Sequence, residues 1–232
     1  MLETQVASFY SLAADAYPDR DLQRELPAMA EVGALEMETI ENVLGALKYK
    51  RSTFLGPIQG PVFSQGELRG IARSMHEALA NLPAGHRLVF LVRYDPDNSI
   101  LSKMLRTTGV FWKDEEGYNL VLGEINDELP GSSFFDDDWK EVMPVSFKRN
   151  LPDLEIETTE QFAHKKIRGY MHRTWIVIPE EEIAEIRYEK PSSGPSGPTP
   201  YQRLHELRKA LKDGLITEEE FKEKRKELLE SM

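Results

Sequence analysis

His76, His86, His164, His172 and His205 are the side chains best suited to proton transfer or metal ligation, and their spacing argues against both roles. Metal-binding histidines come in pairs set by a helical turn or a short loop, whereas these stand singly. His76-Glu77 and His205-Glu206 each begin the H-E-x-x-H pattern of zinc hydrolases, and neither completes it. The serine-nucleophile elbow, the P-loop and the glycine-rich dinucleotide motif do not occur in the sequence. Asp136-Asp137-Asp138, followed by Trp139, offers oxygen ligands to a hard cation, but it lacks the alternating spacing that wraps calcium. Consecutive carboxylates of this kind face water. The chain has no cysteine, which removes disulfides, thiolate catalysis, cysteine-ligated zinc and covalent haem. The expectation is a protein without enzymatic activity, with no catalytic residues, no cofactor and no metal.

The remaining constellation is "HKKIRGYMHR", in which Lys165, Lys166, Arg168 and Arg173 alternate with Ile167, Tyr170 and Met171. Such a basic, partly aromatic patch suits anionic lipid headgroups. The plainer reading is a solvent-facing strand whose charges alternate with buried Ile167 and Tyr170, and Glu155, Glu157 and Glu160 nearby would weaken any attraction to lipid.

The net charge of -11, from 29 basic and 40 acidic residues, opposes approach to a phosphate backbone. Nucleic acid is therefore not an expected partner. The apolar runs fall far short of the ~20 residues a membrane helix needs. The N-terminal stretch has neither a basic nor an apolar signal region. As written the chain reads as cytoplasmic, and as a cell-envelope protein only if an upstream lipoprotein signal has been removed.

Periodicity assigns the elements. Val6, Phe9, Ala13 and Tyr17 share one face of a helix, and Ile40, Val43, Leu44 and Leu47 share a face of a second over 36–49. Ser64 with Glu67 reads as a capping box opening a third helix, with Leu68, Ile71, Ala72, Met75, Leu79 and Leu82 on its core face before Pro83. "RLVFLVRY" at 87–94 reads as a buried strand, and residues 108–125 as a β-hairpin around Asp114-Glu115-Glu116-Gly117. "TWIVI" ends at Pro179, where Glu180, Glu181 and Glu182 suit the first turn of a helix. The fold class expected for 1–190 is α+β, with N-terminal helices packed on a mostly antiparallel sheet. "PSSGPSGPTP" at 191–200 has no residue able to join a core and reads as a flexible linker.

Residues 201–232 read as an αα-hairpin. Leu204, Leu207 and Leu211 line its first limb, Phe221, Leu228 and Leu229 its second, and Leu215 and Ile216 plug the turn. Gly214 suits the end of the first limb, while Thr217 and Glu220 supply a capping box for the second. A unit this small has too little core to offset its ordering entropy alone, so it needs a surface to lie against.

With leucines before it, a Gly-Leu-Ile-Thr core at Gly214 to Thr217, and Glu219, Glu220 and Phe221 after, this segment resembles the SHOCT family of short C-terminal domains. The resemblance implies a bacterial protein and a role in oligomerisation or docking, on a protein partner or a second copy. Residues 1–190 resemble, more generally, bacterial envelope lipoproteins, although no lipid-accepting cysteine is present. Two classes of function follow: an interaction protein that acts through its C-terminal hairpin, or a tethered module whose sheet binds an apolar ligand or lipid. A closed apolar pocket beside the 108–125 hairpin would favour the second, and a solid core the first.

Overall fold

The computed structural model describes residues 2–3, 7–13, 28–53, 56–94, 104–128 and 153–189, and in the C-terminal segment 204, 207–208, 211–212 and 216–230, without the side chains of 227–230. The fold is mostly β. Along the chain run β1 (Leu2–Glu3), β2 (Ala7–Ala13), β3 (Met29–Ala30), α1 (Met37–Ala46), β4 (Lys48–Thr53), β5 (Gly56–Pro61) and α2 (Leu68–Ala80). Then follow β6 (His86–Tyr94), β7 (Leu105–Asp114), β8 (Gly117–Leu122), β9 (Asp127–Glu128), β10 (Leu154–Ile156), β11 (Ala163–Ile167), β12 (Tyr170–Ile178) and α3 (Glu218–Glu230).

A nine-stranded antiparallel sheet in the order β1-β2-β6-β7-β8-β12-β11, with β3 and β9 also on β7, forms the body. A smaller sheet, β10-β4-β5, lies beside it. Long apolar runs drive the centre: every residue of β8 is buried, as are residues 87–92 of β6. Strands buried on both faces lose the apolar-polar alternation that a half-exposed sheet shows. On one face Phe9, Phe90, Phe111, Leu120 and Ile176 meet α1, α2 and the small sheet through Leu44, Ile71, Met75, Leu154 and Ile156. Gly109 is required here, because a Cβ at this position would enter the Phe90 ring. On the other face a separate cluster forms from Val89, Val110, Trp112, Val121 and Trp175.

This architecture corrects several expectations. The fold is not helices first and sheet after: residues 7–13 are a strand, registered on β6 from Ala7↔Val92 to Ala13↔His86. Ala7 and Phe9 alternate with Ser8 and Tyr10, so the period is two, and pairing with β6 outweighs the helical spacing read from four positions. Val6 and Tyr17 lie outside the described residues. Helix α2 starts at Leu68, with no side-chain cap; Ser64 acts through its backbone carbonyl, which accepts from Glu67 and Leu68 N–H. Glu180 to Glu182 begin no helix. They enter successive turns closed by Glu182 N–H to Pro179 O and Glu185 N–H to Glu182 O, a three-residue spacing that does not propagate.

The αα-hairpin expected at 201–232 is also corrected: α3 is the one defined helix among the described residues of that segment, and no hairpin of two helices is present there. Leu204, Leu207 and Leu211 have helical backbone only at scattered described positions. The capping box of α3 is formed, with Thr217 N–H donating to Glu220 Oε2 at 2.8 Å and Glu220 N–H to Thr217 Oγ1 at 3.3 Å. The Glu220 carboxyl pKa is lowered by the bonds it accepts, first from the Thr217 backbone N–H and then from the Thr217 hydroxyl at 3.0 Å, both of which favour the carboxylate. The 191–200 linker lies outside the described residues.

Candidate functional site

The basic-aromatic stretch folds as the β11–β12 hairpin. Arg168 and Gly169 take positive φ of 50° and 79°, the backbone of a two-residue turn between the paired Ile167 and Tyr170. Tyr170 is 74% exposed and Met171 39%, so Tyr170 is not the buried partner that alternation predicted. Lys166, Arg168 and Arg173 also face outward. A bulge between His164 and Lys165 shifts the register, and Lys165 turns inward, where it is buried. The four cations read as one patch are thus three on the surface and one inside.

Lys165 enters a cluster on the sheet face away from the helices. Its Nζ lies 2.5 Å from Glu116 Oε1 and 6.0 Å from the Trp175 ring centre. Trp175 donates its indole N–H to Asn119 Oδ1 at 2.9 Å, and Asn119 in turn donates to Gly117 O at 3.2 Å. Trp112 meets Trp175 edge-on at 5.3 Å, and the Arg87 guanidinium lies 5.2 Å from the Trp112 ring centre. His172 also meets Trp175 edge-on, with ring centres 5.7 Å apart, and burial lowers its pKa.

The register builds this arrangement. Val121 faces Trp175, and Trp112 faces Asn119, so one cross-strand step separates each member of the cluster. Gly117 closes the β7–β8 turn at φ 124°, and a Cβ there would strike the Ile178 carbonyl. The turn therefore seats closely on β12 and brings Glu116 over Lys165. Asp114 Oδ1 fixes it by accepting the Glu116 backbone N–H at 2.9 Å.

Hollows flank the sheet among the described residues. One, of about 360 Å³, runs beside β11 between Glu116, Phe162, Ala163, Lys165, Val177 and Pro179. Another, of about 670 Å³, lies between Tyr10 on β2 and the C-terminal end of α2 at Asn81 and Leu82. Burial pushes the Tyr10 phenol up to about 12. Beneath the β7–β8 hairpin, by contrast, the core is filled: the void among Leu35, Phe111, Leu120 and Ile183 is about 10 Å³, no more than a single water could enter.

His76 and His164 serve as separate structural donors. His76 Nδ1–H donates to Leu35 O at 2.7 Å and His164 Nε2–H to Ile156 O at 2.8 Å. Among the described residues no three His, Asp or Glu side chains converge as metal ligands would. Asp136 to Trp139 and His205 lie outside them. Of the C-terminal apolar stripe, Leu204 is buried at 7% exposure, while Leu207, Leu211, Ile216 and Phe221 are half-buried. Leu215 and the side chains of Leu228 and Leu229 lie outside the described residues.

Comparisons of the chain with protein-family models, with curated proteins and with solved structures find no match in any of the three. The tryptophan-cation cluster escaped sequence reasoning, although one signal marked it: Asn119 interrupts the otherwise apolar run "GYNLVL". A polar side chain inside a buried strand implies a buried partner, here the Trp175 indole.

Proposed function

We propose that the chain is a non-enzymatic bacterial interaction protein, with the β-rich body as a rigid scaffold and the SHOCT-like segment 201–232 as the part that self-associates. One observation carries this reading. Leu207, Leu211, Ile216 and Phe221 are each left partly exposed by their own chain, whereas Leu204 is buried. Partly exposed leucine, isoleucine and phenylalanine side chains within one short segment offer apolar surface that a second copy can finish burying. The solid core beneath the β7–β8 hairpin supports the same class, because a cavity of about 10 Å³ holds no apolar ligand there.

The test is the mass in solution of the intact chain, of Phe221→Ala and of a chain cut at Pro191. Phe221 is already covered over most of its surface, so truncating it forfeits only about 1 kcal/mol of the ~3 kcal/mol lost with a fully buried phenylalanine, hence roughly a fivefold weaker association. A second reading, as a ligand-binding module, draws on the hollows beside β2 and β11 rather than on the hairpin core where it was expected.

A further inference from the structure

Lys165 is 6% exposed, and a buried ammonium is costly unless its three N–H donors find acceptors. Among the described residues its ionic partner is Glu116, which approaches to 2.5 Å but off the direction of a hydrogen bond, and Nζ has no hydrogen-bond partner among them. Glu116 is itself 49% exposed, on a two-residue turn, so water competes for it continually. The fold thus spends a buried cation on a loosely held carboxylate. A buried polar group left so poorly satisfied calls for an explanation.

The hollow beside β11 supplies one. Lys165 and Glu116 both line it, with an apolar side formed by Phe162, Ala163, Val177 and Pro179 and a polar rim that includes Glu160 and Lys166. Its volume of about 360 Å³ falls within the ~300–1,000 Å³ of small-molecule sites. Of the charged lining side chains only Lys165 is buried, so the ammonium and the apolar side of the groove match a monoanion with an apolar body, while the exposed Glu160 and Lys166 stay in water. Glu116 already shows that a carboxylate fits against this ammonium.

We propose that the groove beside β11 binds an organic carboxylate with an apolar body, and that Glu116 is the internal stand-in for that ligand. On binding, Glu116 swings out to water and the ligand carboxylate accepts from the Lys165 ammonium, while its apolar part lies along Phe162 and Val177. One carboxylate replaces another, so the net charge buried beside Trp175 does not change. The exposed Lys166 on the same strand adds attraction for the incoming anion. This site is independent of association through the C-terminal segment.

The experiment is calorimetric titration of the full chain with decanoate below its micellar range, on wild type, Glu116→Gln and Lys165→Met. Decanol and acetate supply the tail without the charge and the charge without the tail. If Glu116 occupies the ammonium about nine-tenths of the time, Glu116→Gln binds decanoate about tenfold more tightly than wild type. Lys165→Met, checked for folding by near-ultraviolet circular dichroism, loses at least that factor, and both controls bind weakly. The proposal is overturned if Glu116→Gln shows no tighter binding than wild type, if decanol binds as well as decanoate, or if a folded Lys165→Met binds unchanged. Should Lys165→Met fail to fold, the comparison of Glu116→Gln with wild type decides alone, since it alters only a half-exposed side chain.

Discussion

The two faces of the large sheet are made by the same strands and follow different rules. In β7, Phe111 points to the helices while Val110 and Trp112 point away from them. The helix-side face is a continuous aliphatic and aromatic core in which shape alone decides the packing. The opposite face mixes tryptophan with Arg87, Asn119 and Lys165, each buried. There, directed hydrogen bonds and cation-ring contacts fix which side chain sits where. One face supplies most of the stability, and the other supplies a defined chemical environment at the edge of the sheet.

The largest effect expected from breaking this contrast is on the helix side. Phe111→Ala removes a buried ring stacked on Tyr118 at 5.8 Å and should destabilise the protein by about 3–5 kcal/mol in urea unfolding. Asn119→Leu keeps the volume on the other face but leaves the Trp175 indole N–H buried without its acceptor, at a cost of about 1–3 kcal/mol. Its near-ultraviolet circular dichroism should change as the Trp112–Trp175 pair reorients. A loss as large as that of Phe111→Ala would mean that the two faces are not distinct in kind.

The smallest expected effect is on pH dependence. Tyr10 has its phenol pKa pushed to about 12 by burial, above the ~10 of an unfolded chain. The folded state therefore retains a proton that the unfolded state releases. This contribution is fully present below pH ~10 and is lost as pH rises toward about 12. Ultraviolet titration should show a late tyrosine that Tyr10→Phe removes, although Tyr118, also raised by burial, still titrates late. The size is small because the phenol is partly wet.

Much of the central sheet was legible in sequence, because β6, β7 and β8 are long apolar runs with an Asp-Glu-Glu-Gly turn between the last two. The α2 core face and the Thr217–Glu220 capping box were legible for the same reason: each rests on local spacing. Strand β2 was not legible, since seven residues that fit a helical face as well as a strand take their form from a partner far along the chain. The inward turn of Lys165 depends on a bulge, which no periodicity predicts. The C-terminal segment misled in the other direction, because leucine spacing and caps describe a helix's local preference and not its pairing with another helix.

The central claim is that the partly exposed apolar surface at Leu207, Leu211, Ile216 and Phe221 is covered by a second copy. Multi-angle light scattering across a concentration series tests it most directly. The intact chain should run as a concentration-dependent dimer, Phe221→Ala should need about five times the concentration to reach the same mass, and the chain cut at Pro191 should be a monomer throughout. If all three run as the same monomer at every concentration, self-association through this segment is contradicted.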